Sequence, residues 1–173
     1  MLATPAATKG ALVATLAVTA GALAAFAARR PEAAVDPGFA AWFLWLFAGL
    51  FLLRVAGQLL VRARRPRWLP PTELWNLSPY HLLLPTQLAI LGLMAWIGAD
   101  LSRAGGVFAD PSPEAGLALV LFSYLYASLM AARYAVRMRR RPGQRWFGGA
   151  IPIVFHFVLA AYLYVLGSFH ASY

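Results

Sequence analysis

Five stretches of apolar residues, each closed off by proline, constrain this chain more than any other feature. They run over residues 10–28, 39–61, 81–101, 115–136 and 150–168. A helix of about 20 such residues matches the hydrocarbon thickness of a bilayer. Between the stretches stand Pro31 and Pro37, then Pro66, Pro70 and Pro71, then Pro111 and Pro113, then Pro142 with Gly143. Proline lacks the backbone donor that a helix interior requires, so each group marks a break. A soluble fold fails on composition, because 61% of the 173 residues are hydrophobic and 12% are charged. Soluble domains average roughly 45–50% apolar and about 25% charged. The expectation is an all-α integral membrane protein, a single domain built as a bundle of five transmembrane helices.

Charge placement orients the bundle. With the N-terminus cytoplasmic and the C-terminus outside, the inner side holds 12 of the 15 basic residues: Lys9, Arg54, Arg62, Arg64, Arg65, Arg67, Arg133, Arg137, Arg139, Arg140, Arg141 and Arg145. Arg29, Arg30 and Arg103 fall outside, together with Glu32, Asp36, Asp100, Asp110 and Glu114, leaving Glu73 as the inner acid. Basic residues are retained on the cytoplasmic side during insertion, and a wrong span count would scramble this alternation. The expected location is a bacterial cytoplasmic membrane. Lys9, the apolar run after it and Ala-Phe-Ala-Ala at 25–28 also have the outline of a secretory signal; we expect the segment to be retained as a span.

The same distribution accounts for the net charge of +9. The basic clusters at 62–67 and 137–145 flank spans, where they meet anionic lipid head groups on the inner face. Nucleic acid is not an expected partner. Residues 62–80 combine basic residues, Trp68 and Trp75, and four prolines, which predicts a segment lying along the inner surface, with Glu73 in a salt bridge.

The spans differ in kind. In the first, Gly10, Ala14, Ala17, Gly21, Ala24 and Ala28 recur at alternating four- and three-residue steps and so share one stripe. Small residues let helices approach closely in lipid, so this stripe is expected to face another helix, of this chain, of a second copy or of another membrane subunit. The second span is aromatic toward its outer end, with Phe39, Trp42, Phe43, Trp45, Phe47 and Phe51. These rings are expected against lipid, a helix or a flat cofactor.

Ionisable groups inside a membrane are costly and are functional candidates by default. Counting at about 1.5 Å per residue puts Arg54, Gln58, His81, Arg133 and His156 in the inner leaflet, while His170 falls at the opposite face. Thr86, Gln87, Ser123, Tyr126 and Tyr162 add further polar groups to the spans. His81 and His156 are candidate axial ligands for one haem b or for the metal of a chlorophyll-type pigment, with Arg54 or Arg133 pairing a propionate and Gln58 nearby. A quinone held by His81 and its polar neighbours is the other cofactor candidate. The chain has no cysteine, which excludes disulfides and thiolate metal sites. It has no phosphate-binding glycine loop, nucleophile elbow or HExxH motif.

Arg-Pro-Arg-Trp-Leu-Pro-Pro at 65–71, within a short five-helix chain rich in tryptophan, resembles the TspO/translocator-protein family, whose members bind porphyrins and sterols. The likeness covers about 30 residues, from Pro66 to Trp96. In that family the loop follows the first helix and here the second, so no residue roles transfer. The expected function is that of a non-catalytic subunit or accessory factor of a larger membrane complex. The competing class is an electron-transfer protein binding haem, pigment or quinone through His81 and His156. A lipid-head-group enzyme using His81 and Glu73, or a small transporter, stands behind both.

Overall fold

The computed structural model describes residues 6–29, 34–64, 80–140 and 151–173. Among these residues there is no β-strand, and five helices follow in order: α1 (Ala6–Arg29), α2 (Pro37–Arg64), α3 (Tyr80–Ser102), α4 (Pro113–Arg140) and α5 (Ile151–His170). Each is long and apolar enough to cross a membrane. Their centres match the five apolar stretches, and the ends of α1 to α4 extend past them. α2 and α4 have 28 residues each, roughly 42 Å at 1.5 Å per residue. That exceeds a hydrocarbon core of about 30 Å, so the extra turns carry the flanking arginines: Arg62 and Arg64 in α2, and Arg137, Arg139 and Arg140 in α4. Pro113 opens α4, where the missing N–H costs nothing.

The helices alternate in direction, giving the bundle a basic end (Lys9, Arg64, Arg137 and Arg140) and an acidic end (Asp36, Asp100, Asp110 and Glu114). α5 is the central post. It packs against α1, α2 and α4, and most of its residues are buried and apolar, as a central helix requires. α3 packs on α2, and α4 packs on α5 alone among the described helices. The bundle is therefore a bent row, α3–α2–α5–α4, with α1 lying across α2 and α5. No backbone contact joins α3 to α4 or α1 to α4, so α4 is flanked by a lateral gap on each side.

Glycines set the closest crossing. A Cβ added to Gly116 of α4 would stand 2.3 Å from the Ala171 backbone nitrogen, and one on Gly167 of α5 would stand 2.8 Å from the Val120 nitrogen. At the acidic end the two helices thus touch backbone to backbone. The small-residue stripe of α1 sits elsewhere. Gly10, Ala14, Ala17, Gly21, Ala24 and Ala28 are all exposed, and an added Cβ on Gly10 or Gly21 meets nothing within 4 Å. The face that α1 packs inward carries Leu12, Thr19, Ala22 and Phe26 instead. Its bulky residues fill the groove beside α5 and α2, where the flat stripe would leave a void. The expected close packing of this stripe within the chain is therefore absent among the described residues.

The aromatic end of α2 divides by face. Phe47 and Phe51 are buried in the core, Phe39 and Phe43 form ring pairs with Phe26 of α1, and Trp42 is 80% exposed. Trp45 lies over Gly98 of α3, where a Cβ would come within 3.1 Å of the indole, and its Nε1 donates to Ser102 Oγ at 2.9 Å. The C-terminus ties down the acidic end: the Val35 N–H donates to Ser172 Oγ at 2.9 Å, and Tyr173 Oη donates to the Val35 carbonyl at 3.2 Å. After α3 the chain turns through Ala104 (φ 47°) and Gly106 (φ 101°) around the buried carboxylate of Asp100, which pairs with Arg103 at 3.5 Å.

Candidate functional site: a cationic cavity between α3 and α4

Toward the basic end, the gap between α3 and α4 deepens into a cavity of about 280 Å³. Phe51 and Arg54 of α2 and Ile153, His156 and Leu159 of α5 form its floor; Leu83, Thr86, Gln87 and Ile90 of α3 form one wall, and Tyr126, Arg133 and Arg137 of α4 the other. The spacing along each helix explains the grouping. Residues 83, 86, 87 and 90, and residues 126, 133 and 137, each repeat at three, four or seven and so lie on one helix face.

Arg54 is the least ordinary member. It is 6% exposed, and its Nε has no hydrogen-bond partner. No ion pair involves it among the described residues. Its guanidinium lies against aromatic faces instead, with Cζ 5.6 Å from the centroid of Phe155 and 5.9 Å from that of Phe51. Such contacts are worth about 0.5–2 kcal/mol, less than the several kcal/mol that it costs to take a cation out of water. The arginine is thus held in place and left short of a counter-charge. Gln87, 3% exposed, also presents both amide atoms without a partner.

Tyr126 and His156 connect α4 to α5. The phenol oxygen and Nδ1 are hydrogen-bonded, the donor depending on the ring tautomer, and the two rings meet edge-on with centroids 5.6 Å apart. This bond fixes the imidazole and commits Nδ1, leaving Nε2 as the nitrogen available to a ligand. Thr86 is satisfied internally, its hydroxyl donating to the Leu82 carbonyl at 2.8 Å.

Of the residues singled out from the sequence, Arg54, Arg133 and His156 converge on this cavity. Gln58 lies one turn from Arg54 toward the basic end, fully buried with both amide atoms unpartnered, and is not on the lining. His81 belongs to the first turn of α3, and its side chain lies outside the described residues, as does Glu73. His170 is at the opposite end, where its Nδ1 accepts from the Ser112 N–H at 3.3 Å. Gln87, Tyr126 and Arg137 are also on the lining; the signal for Gln87 and Tyr126 was polarity inside a span, whereas Arg137 was read only as part of the basic cluster flanking the fourth. Phe155, on the far side of Arg54, carried no signal of its own in an apolar helix.

At about 280 Å³ the described cavity lies just below the range of about 300–1,000 Å³ that holds drug-sized ligands. His156 is the one histidine on the described lining. Among the described residues no group of three or more His, Asp or Glu side chains is placed to hold a metal ion. No family model, curated protein or solved structure matches this chain, and the translocator-like residues 65–71 lie outside the described ones.

Proposed function

We propose that this protein is a non-catalytic membrane protein that holds the anionic group of an amphiphile in the α3–α4 cavity. The observation that carries this reading is Arg54, nearly fully buried, without a carboxylate partner among the described residues, and on the lining of a cavity that it shares with Arg133 and the unpartnered amide of Gln87. A guanidinium offers a fork of donors matched to carboxylate or phosphate oxygens, and a bound anion would supply the missing counter-charge. The basic end, with 12 of the 15 cationic residues counted along the whole chain, is assigned to the cytoplasmic leaflet by the retention of positive charge on that side. Anionic lipid is enriched there, and the α3–α4 gap gives it a lateral way in. A quinone would engage Tyr126 and His156 yet leave Arg54 uncompensated, so an anion is the better fit.

Native mass spectrometry of the full chain, released from membranes without delipidation, tests this. One anionic amphiphile per chain is expected, and Arg54→Gln should lose it. Retention of zwitterionic lipid with equal preference, or unchanged retention by Arg54→Gln, contradicts the reading.

A second role, as a subunit of a larger membrane assembly, is supported by the open stripe of α1 and by α4, whose exposed face carries Leu117, Leu121, Leu125 and Leu129. Crosslinking from Gly21→Cys in intact membranes tests it. A discrete crosslinked product is expected, and a monomer at every crosslinker concentration contradicts it.

A further inference from the structure

Resting on the anion-binding reading of the α3–α4 cavity, we infer that its ligand is a long-chain carboxylate, a single acyl chain ending in its charged group, rather than a two-chain phospholipid. The argument is one of depth. Arg54 stands eight and ten residues before Arg62 and Arg64 of the last turn of α2, roughly 12–15 Å along the helix. An arginine in a span commonly reaches back to head-group level through its long stem. Arg54 is held the other way. Helix side chains tilt toward the N-terminus, which for α2 is the acidic end. The guanidinium accordingly lies against Phe155 and against Phe51, three residues deeper than Arg54, with Cζ 5.6 Å and 5.9 Å from the two ring centroids. Gln87, the other buried and unpartnered group on the lining, stands seven residues into α3 from the same end, roughly 10 Å along that helix. An anion that reaches both groups has to leave the head-group level and descend between the helices.

Chemistry and size agree with a single chain. A phospholipid phosphate is followed by glycerol and two ester groups. Drawing it down to Arg54 would bury those polar groups against Leu83, Ile90 and Leu159, whose side chains offer no hydrogen bond, and such burial is unfavourable. A long-chain carboxylate has only methylenes behind its head. Its two oxygens match the guanidinium fork, and the Gln87 amide N–H is a further donor within the same lining. At about 280 Å³ the cavity takes the carboxylate and the first methylenes. The rest of the chain leaves through the open side between α3 and α4, where no backbone contact closes the bundle. That side opening is what distinguishes an acyl chain from a small soluble carboxylate.

The test is a displacement titration of labelled palmitate on the purified full chain in neutral detergent at pH 8. The competitors are phosphatidylglycerol with the same acyl chains, palmityl alcohol and acetate. Palmitate should bind at least about tenfold tighter than phosphatidylglycerol or the alcohol, the worth of one well-made charge-assisted contact. Arg54→Gln should weaken palmitate at least about tenfold. Gln87→Leu, which leaves every cation in place, should weaken palmitate about threefold or more, as the loss of one hydrogen bond does, and leave phosphatidylglycerol unchanged. Phosphatidylglycerol binding as tightly as palmitate, with the alcohol weak, overturns the single-chain inference and leaves the anion-binding reading standing. Equal affinity for palmitate, phosphatidylglycerol and the alcohol removes both. Acetate competing at concentrations close to those of palmitate overturns the assignment to an acyl chain, and palmitate binding that neither substitution weakens overturns its placement at the depth of Arg54.

Discussion

The guanidinium of Arg54 faces the ring of Phe155 at 5.6 Å, where a buried arginine ordinarily meets a carboxylate. Phe155 is itself 8% exposed and precedes His156, which turns to the cavity from the next position of α5. The aromatic face fixes the cation without neutralising it. This relationship is what the proposed anion-binding reading rests on.

Arg54→Met should therefore stabilise the delipidated protein. Replacing an uncompensated buried charge by an apolar side chain of similar length is expected to gain about 1–3 kcal/mol. The same variant should lose the added stability that anionic lipid gives the wild type. Thermal unfolding with and without anionic lipid measures both. A lower unfolding temperature in the delipidated variant contradicts the prediction.

Tyr126→Phe should cost about 1–2 kcal/mol, because His156 Nδ1 loses its partner in a part-buried position. The loss should disappear in the His156→Phe background, since a double-mutant cycle removes the shared term. Additive losses would show that the two residues do not act together.

Much of this was legible in the sequence, and the limits have physical causes. Span count and span centres follow from hydropathy and from prolines such as Pro37 and Pro113. Span ends do not, because backbone hydrogen bonding carries α2 and α4 beyond the hydrocarbon length into their arginine-rich turns. Arg54, Arg133 and His156 were brought together by depth alone, since residues at one depth of a small bundle have few places to be. Gln58, four residues on from Arg54 and so on the same face of α2, lies one turn nearer the basic end and is not on the lining, a difference of depth finer than residue counting resolves. The closest crossing within the chain was hidden from the sequence for a related reason. The α1 stripe is periodic in one helix and visible in sequence, whereas Gly116 and Gly167 are single glycines in two helices and become a pair only through the α4–α5 contact.

That crossing gives a sharp stability test. Gly116→Val and Gly167→Leu would each drive a side chain into the backbone of the opposing helix. Each should cost about 3 kcal/mol or more, the upper end for overpacking. Gly21→Leu, on the open stripe of α1 where an added Cβ meets nothing, should change monomer stability by less than about 0.5 kcal/mol. Comparable losses at all three positions would contradict the assigned packing.

The turn after α3 offers a paired control. A Cβ on Gly106 would meet the Asp100 carboxylate at 2.4 Å from a residue with φ of +101°, while one on Gly105 reaches its nearest neighbour at 3.8 Å. Gly106→Ala should lose about 1–2 kcal/mol or more from the left-handed backbone conformation alone, and Gly105→Ala should stay near wild type. Chemical unfolding of the two variants in parallel reads the difference; equal stabilities would contradict this turn geometry.

The most direct test of the account is an experimental density map of the full chain in a bilayer containing anionic lipid. The account predicts head-group density between Arg54, Arg133 and Gln87, continuous with a lipid chain leaving between α3 and α4. Water alone in the cavity, or a carboxylate of the chain itself against Arg54, would contradict it.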